Sequence, residues 1–218
     1  MVSRTRSSRQ HAANALGALS LVVADRMNAS VEAIAALGPS APAALAALHE
    51  FLDGGSVTQL SSVLGLTHSG TVRLVDRLGA EGLVERVGAQ DGRAVSVVLT
   101  RSGRRMALRI RQARETSLTS ALSALTSAEV DNLAAALDTM LTAVTLARAE
   151  ERSAHSQDRR QPWLCRLCHF AACGRSEGNC PVNNAVTTSN QSEVAGVIRG
   201  SGETAVAVWA GGAAHGSL

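Results

Sequence analysis

The stretch of sequence that decides the fold covers residues 56–103 and reads SVTQLSSVLGLTHSGTVRLVDRLGAEGLVERVGAQDGRAVSVVLTRSG. Its first part contains two short helical patterns around a turn. Ser56 and Gln59 have the spacing of a capping box, which predicts the start of a helix, and Gly65 predicts its end. Thr67 is the expected cap of a second helix, whose apolar stripe follows at helical spacing.

The second part of the same stretch predicts a β-hairpin followed by a helix. Two runs rich in valine, residues 83–87 and 94–99, flank an Asp-Gly pair, and such a pair between β-branched runs favours a tight turn. Thr100 is the expected cap of the helix that follows. Helix, turn, helix and hairpin in this order predict a winged helix-turn-helix. The fold class is therefore expected to be mainly α with a small β-hairpin wing.

Long helical patterns rich in alanine and leucine lie outside this unit. They cover residues 11–37, 103–117 and 126–152. A small winged domain offers little surface on which their apolar stripes can pack, so we expect these helices to form a dimer interface. The predicted organisation is a winged-helix and dimerisation domain over residues 1–152, a linker and cysteine segment over 153–182, and a disordered tail over 183–218.

Positive charge is concentrated in one part of the chain. The formal net charge is only +3, yet residues 66–114 contain ten arginines against four acidic residues. Such a basic stretch is typical either of phosphate contacts or of a solvated face with internal ion pairs. Lysine is absent, and no Gly-rich phosphate loop, His-Glu-x-x-His or Gly-x-Ser-x-Gly motif occurs, so we do not expect an enzyme.

The winged pattern indicates which residues contact DNA. In a helix-turn-helix the second helix lies in the major groove, and the residues at its start contact base edges. The expected contacts with a double-stranded DNA operator are Thr67, His68, Ser69, Thr71, Arg73, Arg77, Arg86 and Arg93. We expect Arg73 to contact a base, and Arg77 and Arg86 to contact phosphates. Arg93 either enters a minor groove or closes the hairpin together with Asp91.

The assembled motifs resemble the MarR family of winged-helix transcription regulators. The similar segments are LSSVLGLT at 60–67, TVRLVDRL at 71–78, EGLVER at 81–86, and DGR at 91–93 closing on LTRSG at 99–103. The resemblance covers about residues 11–152, with Ser61 or Ser62 where the family usually has alanine. It implies a homodimer on a pseudo-palindromic operator, most often a repressor that is released by a ligand or an oxidant.

Cysteines cluster near the C-terminus, at Cys165, Cys168, Cys173 and Cys180. No run of about 18 apolar residues occurs, so we expect no membrane span and a cytoplasmic protein. Because cytosolic cysteines are usually reduced, the cluster favours metal binding over disulfides. Four thiolates suit tetrahedral zinc or an iron–sulfur cluster, and thiol chemistry without a permanent metal is a third interpretation. His169 is expected to support the ligands or to lie exposed rather than to replace a cysteine.

The cysteine segment also has an apolar face that we expect to dock on the dimer helices. This face consists of Trp163, Leu164, Leu167 and Phe170. Since the cysteines are far in sequence from the recognition helix, any effect on DNA binding is expected to act through the geometry of the dimer. The sequence thus predicts a DNA-binding regulator that is modulated by a metal, a cluster or thiol oxidation. The alternatives are a redox or metal-binding protein, and a regulator released by a small ligand with a structural zinc.

Overall fold

The computed structural model describes residues 2–30, 37–88, 95–154 and 161–187. Within them the chain is mainly helical with a two-stranded antiparallel sheet, as the sequence predicts. The elements in chain order are α1 (Val2–Ser30), α2 (Ala41–Glu50), α3 (Val57–Leu64), α4 (His68–Ala80), β1 (Val84–Gly88), β2 (Val95–Leu99), α5 (Arg101–Leu122), α6 (Ser127–Ala154), a 3₁₀ helix (Leu164–Leu167) and α7 (181–187). The predicted hairpin tip with Asp91 and Arg93 lies outside the described residues, as does the tail from 188 to 218.

Side-chain caps fix where the helices of the winged domain begin. The Ser56 hydroxyl accepts the backbone N–H of Gln59, and the Gln59 side chain accepts the N–H of Ser56, so the predicted capping box is confirmed. Gly65 ends α3 at a φ of 66°, a left-handed conformation that suits glycine. Thr67 caps α4 by accepting the N–H of Gly70, also as predicted.

The core of the winged domain lies between helices α2 to α5 and the hairpin. Leucine, valine and alanine make up nearly all of it, and its largest fully buried side chains include Leu45, Leu48, Leu60, Leu74 and Leu78. Full burial of each such leucine contributes about 1.5–3 kcal/mol. Aliphatic side chains fill this space because the chain has only two tryptophans, two phenylalanines and no tyrosine.

The hairpin is hydrogen-bonded to the helix-turn-helix. Strands β1 and β2 pair in antiparallel register, with Val84 opposite Leu99. The N–H of Val97 donates to the carbonyl of Gly55, so the loop before α3 adds to the edge of β2. The wing and α3 therefore form one hydrogen-bonded unit.

Thr100 and Gly103 join the hairpin to α5. The Thr100 hydroxyl accepts the N–H of Gly103, which makes Thr100 the predicted cap, and it donates to the carbonyl of Gly82 at 2.6 Å. Gly103 lies so close to β1 that a methyl group in place of its hydrogen would overlap the carbonyl oxygen of Leu83. This close approach explains why position 103, three residues after Thr100, is a glycine.

The outer helices are longer than the sequence patterns indicate. Helix α1 begins at Val2 rather than near residue 11, and α5 continues to Leu122 rather than ending near 117. The helices extend beyond the expected bounds because residues 2–11 and 117–122 contain no glycine or proline that would end a helix.

Helix α6 has its own capping box. The Thr126 hydroxyl accepts the N–H of Glu129, and the Glu129 carboxylate accepts the N–H and the hydroxyl of Thr126. The cap of α6 is thus Thr126. These hydrogen bonds, that of the backbone N–H first, hold the pKa of Glu129 below its usual value of 4.5.

Helices α1 and α6 leave apolar side chains exposed. Helix α1 packs along α5, yet Leu21 remains 67% exposed. In α6 an apolar stripe with helical spacing lies exposed and consists of Leu137, Met140, Leu141 and Val144. Among the described residues, Ser127–Glu151 is also the one helical stretch whose length and composition would allow it to cross a membrane, which for a single helix is weak evidence.

The C-terminal segment is ordered slightly beyond the predicted boundary at residue 182. Helix α7 covers 181–187 and begins with Pro181, whose fixed φ favours the first position of a helix. Its Ala185 is buried. The start of the tail at 183 was therefore placed too early.

Candidate nucleic-acid interface and cysteine segment

Helix α4 has one buried face and one exposed face. Its buried residues are Thr71, Leu74, Val75 and Leu78, and the helix packs against α3 and β1. The exposed side chains are polar or charged and include His68, Ser69, Arg73, Asp76 and Arg77. A basic, exposed face on the second helix of a helix-turn-helix is the arrangement that enters a major groove of DNA.

Thr71 does not belong to the exposed face, so the expectation that it points outward is wrong. Its side chain is fully buried, and its hydroxyl donates to the carbonyl of Thr67 at 3.0 Å. The physical reason is the helical period, because position 71 lies on the same face as Leu74, Val75 and Leu78. A threonine fits there because its hydroxyl finds a backbone acceptor within the helix.

Arg86, expected to contact a phosphate, is bound to an acidic residue of the recognition helix. Its Nη1 atom lies 2.6 Å from Oδ1 of Asp76, and both side chains remain about half exposed. Such an exposed pair contributes only about 0.2–1 kcal/mol to stability. The pair does, however, fix the direction of the Arg86 guanidinium between α4 and the wing. Asp76 lies on the exposed face of α4, ten residues before Arg86, and no sequence pattern connects the two.

The other predicted DNA contacts divide into three groups. Thr67, His68 and Ser69 are exposed at the start of α4, where the Thr67 and Ser69 hydroxyls lie 3.3 Å apart. Arg73 and Arg77 are exposed further along the helix. Arg93 lies outside the described residues.

The cysteine segment, residues 161–187, is attached to the winged domain by a stack of aromatic rings. Phe51, directly after α2, stacks on Phe170 with ring centroids 5.0 Å apart and on Trp163 at 6.0 Å. The guanidinium of Arg175 lies 4.7 Å from the centre of the Phe170 ring, within the range of a cation–π interaction. Three of the chain's four aromatic residues thus meet at this one contact.

Hydrogen bonds fix the segment to the helix-turn-helix. The N–H of Trp163 donates to the carbonyl of Val63, in the last turn of α3, at 2.9 Å. The N–H of Phe170 donates to the carboxylate of Glu50, at the end of α2, at 2.6 Å. The last carbonyls of a helix lack a partner within the helix, so the segment supplies one to α3.

Two further contacts reach the long helices. His169 Nδ1 lies 3.0 Å from the carboxylate of Glu115 in α5. Arg148 in α6 donates to the side chain of Gln161 at 2.9 Å and to the carbonyl of Pro162. His169 is therefore in contact with α5.

The aromatic part of the apolar face was expected to dock on the dimer helices, and this expectation is wrong. Trp163 and Phe170 pack on Phe51 of the winged domain, and Leu167 packs against the core of that domain. The rings of Trp163 and Phe170 stack on the ring of Phe51, and no sequence pattern predicts this contact. The cysteine segment thus contacts the winged domain directly, at Phe51 and at the last turn of α3.

The four thiols lie near one another, since Cys168 and Cys180 both contribute to the raised pKa of Cys165 and to that of Cys173. A hydrogen bond between Cys165 and Cys168, together with burial, raises the pKa of Cys165. The same bond, helped by the nearby Arg114 guanidinium, lowers the pKa of Cys168 to about 6. Burial raises the pKa of Cys173, whose thiol also contacts the carbonyl of Phe170.

The side-chain arrangement does not gather three donors for one ion. Within the parts of the chain that the structure describes, no group of three or more His, Cys, Asp or Glu side chains could hold a single metal ion. All four cysteines are within those parts, and each is a free thiol. Cys168 also lines a small cleft between the segment and helices α2 and α5, next to Arg111 and Arg114.

Comparison with known proteins gives a family for the winged domain. Residues 37–94 match the sequence model of the MarR family. No curated protein matches the chain. The segment 37–94 covers α2, α3, α4, β1 and the predicted hairpin tip, which is the part of the chain that forms the helix-turn-helix and starts the wing.

Solved structures with the same fold are similar over about two thirds of the chain. YusO from Bacillus subtilis has a TM-score of 0.54 at 19% identity, covering 64% of this chain and 96% of its own. MepR, a transcription regulator of the Staphylococcus aureus multidrug efflux pump MepA, has a TM-score of 0.52 at 17% identity, covering 61% and 97%. RV1404 from Mycobacterium tuberculosis has a TM-score of 0.51 at 24% identity, covering 61% and 88%.

These findings agree with the fold derived from the residues. MepR, one of these solved structures, is a transcription regulator. With residues 37–94 matching the MarR family model and the helix-turn-helix and hairpin in place, the chain has a winged helix-turn-helix fold that is similar to that of MarR-type regulators.

Proposed function

We propose that the protein is a homodimeric, cytoplasmic repressor that binds a pseudo-palindromic DNA operator. DNA-binding regulation as such is supported by the match of residues 37–94 to the MarR family model and by the fold shared with MepR. The observation that carries the finer proposal is the two-faced helix α4, whose exposed Arg73 and Arg77 stand opposite the buried stripe of Leu74 and Leu78. A helix anchored in this way presents its basic face as a rigid body, which suits reading of a groove.

The contacts with DNA divide by role. Helix α4 enters the major groove, where Arg73 pairs with a guanine edge and Ser69 and His68 reach neighbouring bases or phosphates. Arg77 binds a phosphate further along the strand. Arg86, oriented by Asp76 at 2.6 Å, binds the DNA backbone at the base of the wing, and Arg93 supplies a minor-groove contact.

The dimer explains the exposed stripes of the outer helices. The stripe Leu137, Met140, Leu141 and Val144 on α6 and the exposed leucines of α1 have the spacing of a helix-packing face. Covering them with the same surfaces of a second copy produces a symmetric, closed assembly. Two recognition helices related by a two-fold axis read two half-sites, which requires a pseudo-palindrome.

The proposal is tested by a mobility-shift titration of the full chain against the DNA upstream of its own gene. We expect a shift that resists excess unrelated duplex and weakens steeply with salt, because arginine–phosphate contacts release counterions. Sedimentation of the same preparation at micromolar concentration should give a dimer. Equal affinity for the upstream and the unrelated duplex, or a stable monomer that binds DNA tightly, would contradict the proposal.

A further inference from the structure

Cys165 and Cys168 are the two cysteines that a single backbone turn brings together. Cys165 lies in the 3₁₀ helix Leu164–Leu167, and the N–H of Cys168 donates to the carbonyl of Cys165 at 3.0 Å. Side chains three residues apart lie on the same side of a 3₁₀ helix. The φ of Cys168 is −72°, close to a helical value, and φ sets the direction of Cβ, so its side chain continues that row.

This turn has the geometry that a disulfide needs. The Cα atoms of a disulfide lie about 4.4–6.8 Å apart, and the ends of a four-residue turn lie less than about 7 Å apart. Both thiols are free, and a hydrogen bond joins them. Cys173, in contrast, is separated from Cys180 by six residues, and its thiol contacts the carbonyl of Phe170 at 3.5 Å. The turn can therefore be closed by a bond between Cys165 and Cys168 with little movement of the backbone.

The two thiols of the turn differ in access. Cys165 is only 7% exposed, whereas Cys168 is partly exposed and lines the cleft between the segment and helices α2 and α5. The hydrogen bond from Cys165 and the Arg114 guanidinium lower the pKa of Cys168, which favours the thiolate, the form that attacks a disulfide. Cys168 thus has the position of an attacking thiol, and Cys165 lies buried beside it as the second thiol.

The charges around Cys168 favour an anionic reactant. Two guanidinium groups, those of Arg114 and Arg166, act on its sulfur against one carboxylate, that of Glu50. The Glu50 carboxylate is also engaged by the N–H of Phe170 at 2.6 Å. Arg114 itself lines the cleft. A small disulfide whose substituents bear carboxylates therefore suits this site better than one that bears amines.

We propose that Cys165 and Cys168 form a thiol–disulfide exchange site that takes a small anionic disulfide from the cleft. The Cys168 thiolate attacks one sulfur of the reactant, whose S–S bond breaks. A mixed disulfide with Cys168 forms, and the first leaving thiolate takes up a proton from water. Cys165 then attacks the Cys168 sulfur and passes its proton to the second leaving thiolate, and the Cys165–Cys168 bond closes. The two protein thiols thereby lose two electrons, and the reactant is reduced to two thiols.

The new bond lies between the two rings that attach the segment to the winged domain. Trp163, before the turn, stacks on Phe51 and donates its N–H to the carbonyl of Val63. Phe170, after the turn, also stacks on Phe51. Closing the turn therefore fixes the stretch of chain that connects these two contacts. The exchange chemistry does not rest on the proposed DNA-binding function, so it is tested without DNA.

The test uses the reduced, chelator-treated full chain and oxidised glutathione, which bears carboxylates, at neutral pH. Intact mass should show the loss of two hydrogens, and peptide mapping should place the disulfide between Cys165 and Cys168. Cys165→Ser should stop at one glutathione per chain, attached to Cys168, whereas Cys168→Ser should react at least about tenfold more slowly. Cys173→Ser, the matched control in the same segment, should still form the bond.

A second comparison tests the charge of the cleft and separates it from folding. Arg114→Gln should lower the ratio of the rates with oxidised glutathione and with cystamine, a disulfide that bears amines, at least several-fold. Circular dichroism should show the helix content of the parent in every variant. A disulfide that maps to Cys173 or Cys180, or thiols that react only after denaturant is added, would overturn the exchange site. An unchanged ratio in Arg114→Gln would overturn the preference for an anionic reactant.

Discussion

At the scale of single residues, Gly103 shows how one close contact fixes the joint between wing and helix. Gly103→Ala would press a methyl group onto the backbone carbonyl of Leu83, which cannot move without opening the hairpin. We expect the variant to lose about 1–3 kcal/mol of unfolding free energy, as overpacked sites do. Gly79→Ala is the matched control, since its methyl group would find an ordinary contact at 3.8 Å. Equal thermal stability of the two variants would contradict this account of Gly103.

Arg73 and Arg77 differ in the kind of DNA contact that we expect of them. Arg73→Ala should cost about 1–3 kcal/mol on the operator and relax the preference at one position of each half-site. Arg77→Ala should weaken binding to all sequences alike and lower the salt dependence, as loss of a phosphate contact does. Titrations of both variants against the operator and single-base variants of it measure the difference. A uniform loss for Arg73→Ala would show that Arg73 holds only a phosphate.

The winged domain shows which features a sequence pattern can predict and which it cannot. The caps at Ser56, Thr67 and Thr100 were predictable, because their partners lie three residues away along the chain. Thr71 is expected on the exposed face because it is polar, yet its position in the helix places it among the buried residues. The partner of Arg86 was missed because Asp76 lies on another element, and only the fold brings the two together.

At the scale of elements, we expect the exposed apolar stripe of helix α6 to pack against a second copy of the chain. Leu141→Glu places a charge in the centre of the exposed stripe, and burial of an unpaired carboxylate in an interface is unfavourable. The dimer dissociation constant measured by sedimentation should rise at least about tenfold, which corresponds to about 1.4 kcal/mol. Thr139→Glu, on the opposite face of the same helix, is the control and should leave the dimer intact. Dissociation caused equally by both variants would point to a loss of helix rather than of an interface.

The cap of α6 gives this element a pH dependence. Hydrogen bonds from the Thr126 N–H and hydroxyl hold the pKa of Glu129 below 4.5 in the folded chain. The carboxylate therefore stabilises the helix above its unfolded pKa, and this contribution is lost as the pH falls through the folded value. Urea unfolding should find Glu129→Gln less stable than the parent at pH 7, and the difference should disappear once the pH falls below the lowered pKa of Glu129. A difference that persists at the lower pH would contradict the role of the charge.

At the scale of the whole molecule, two parts of the chain were predictable to different extents. The winged domain follows from local signals, namely caps, turn residues and periodic apolar stripes, so the order of its helices and strands could be predicted from the sequence. The position of the cysteine segment could not, because it depends on the stacking of Trp163 and Phe170 on Phe51, which lies more than a hundred residues before them in sequence. Cysteine spacing predicts a metal or cluster, while the contacts of the segment with Phe51, Glu50 and Val63 appear only in the fold.

The central claim is that the chain reads a symmetric DNA sequence, and selection from a random pool tests it most directly. Full-length protein is incubated with random duplexes, and the bound DNA is recovered over several rounds and sequenced. The account predicts enrichment of one pseudo-palindrome whose half-site centres lie about one helical turn, 10–10.5 base pairs, apart. A pool that stays random, or one enriched only in a lone asymmetric site, would contradict it.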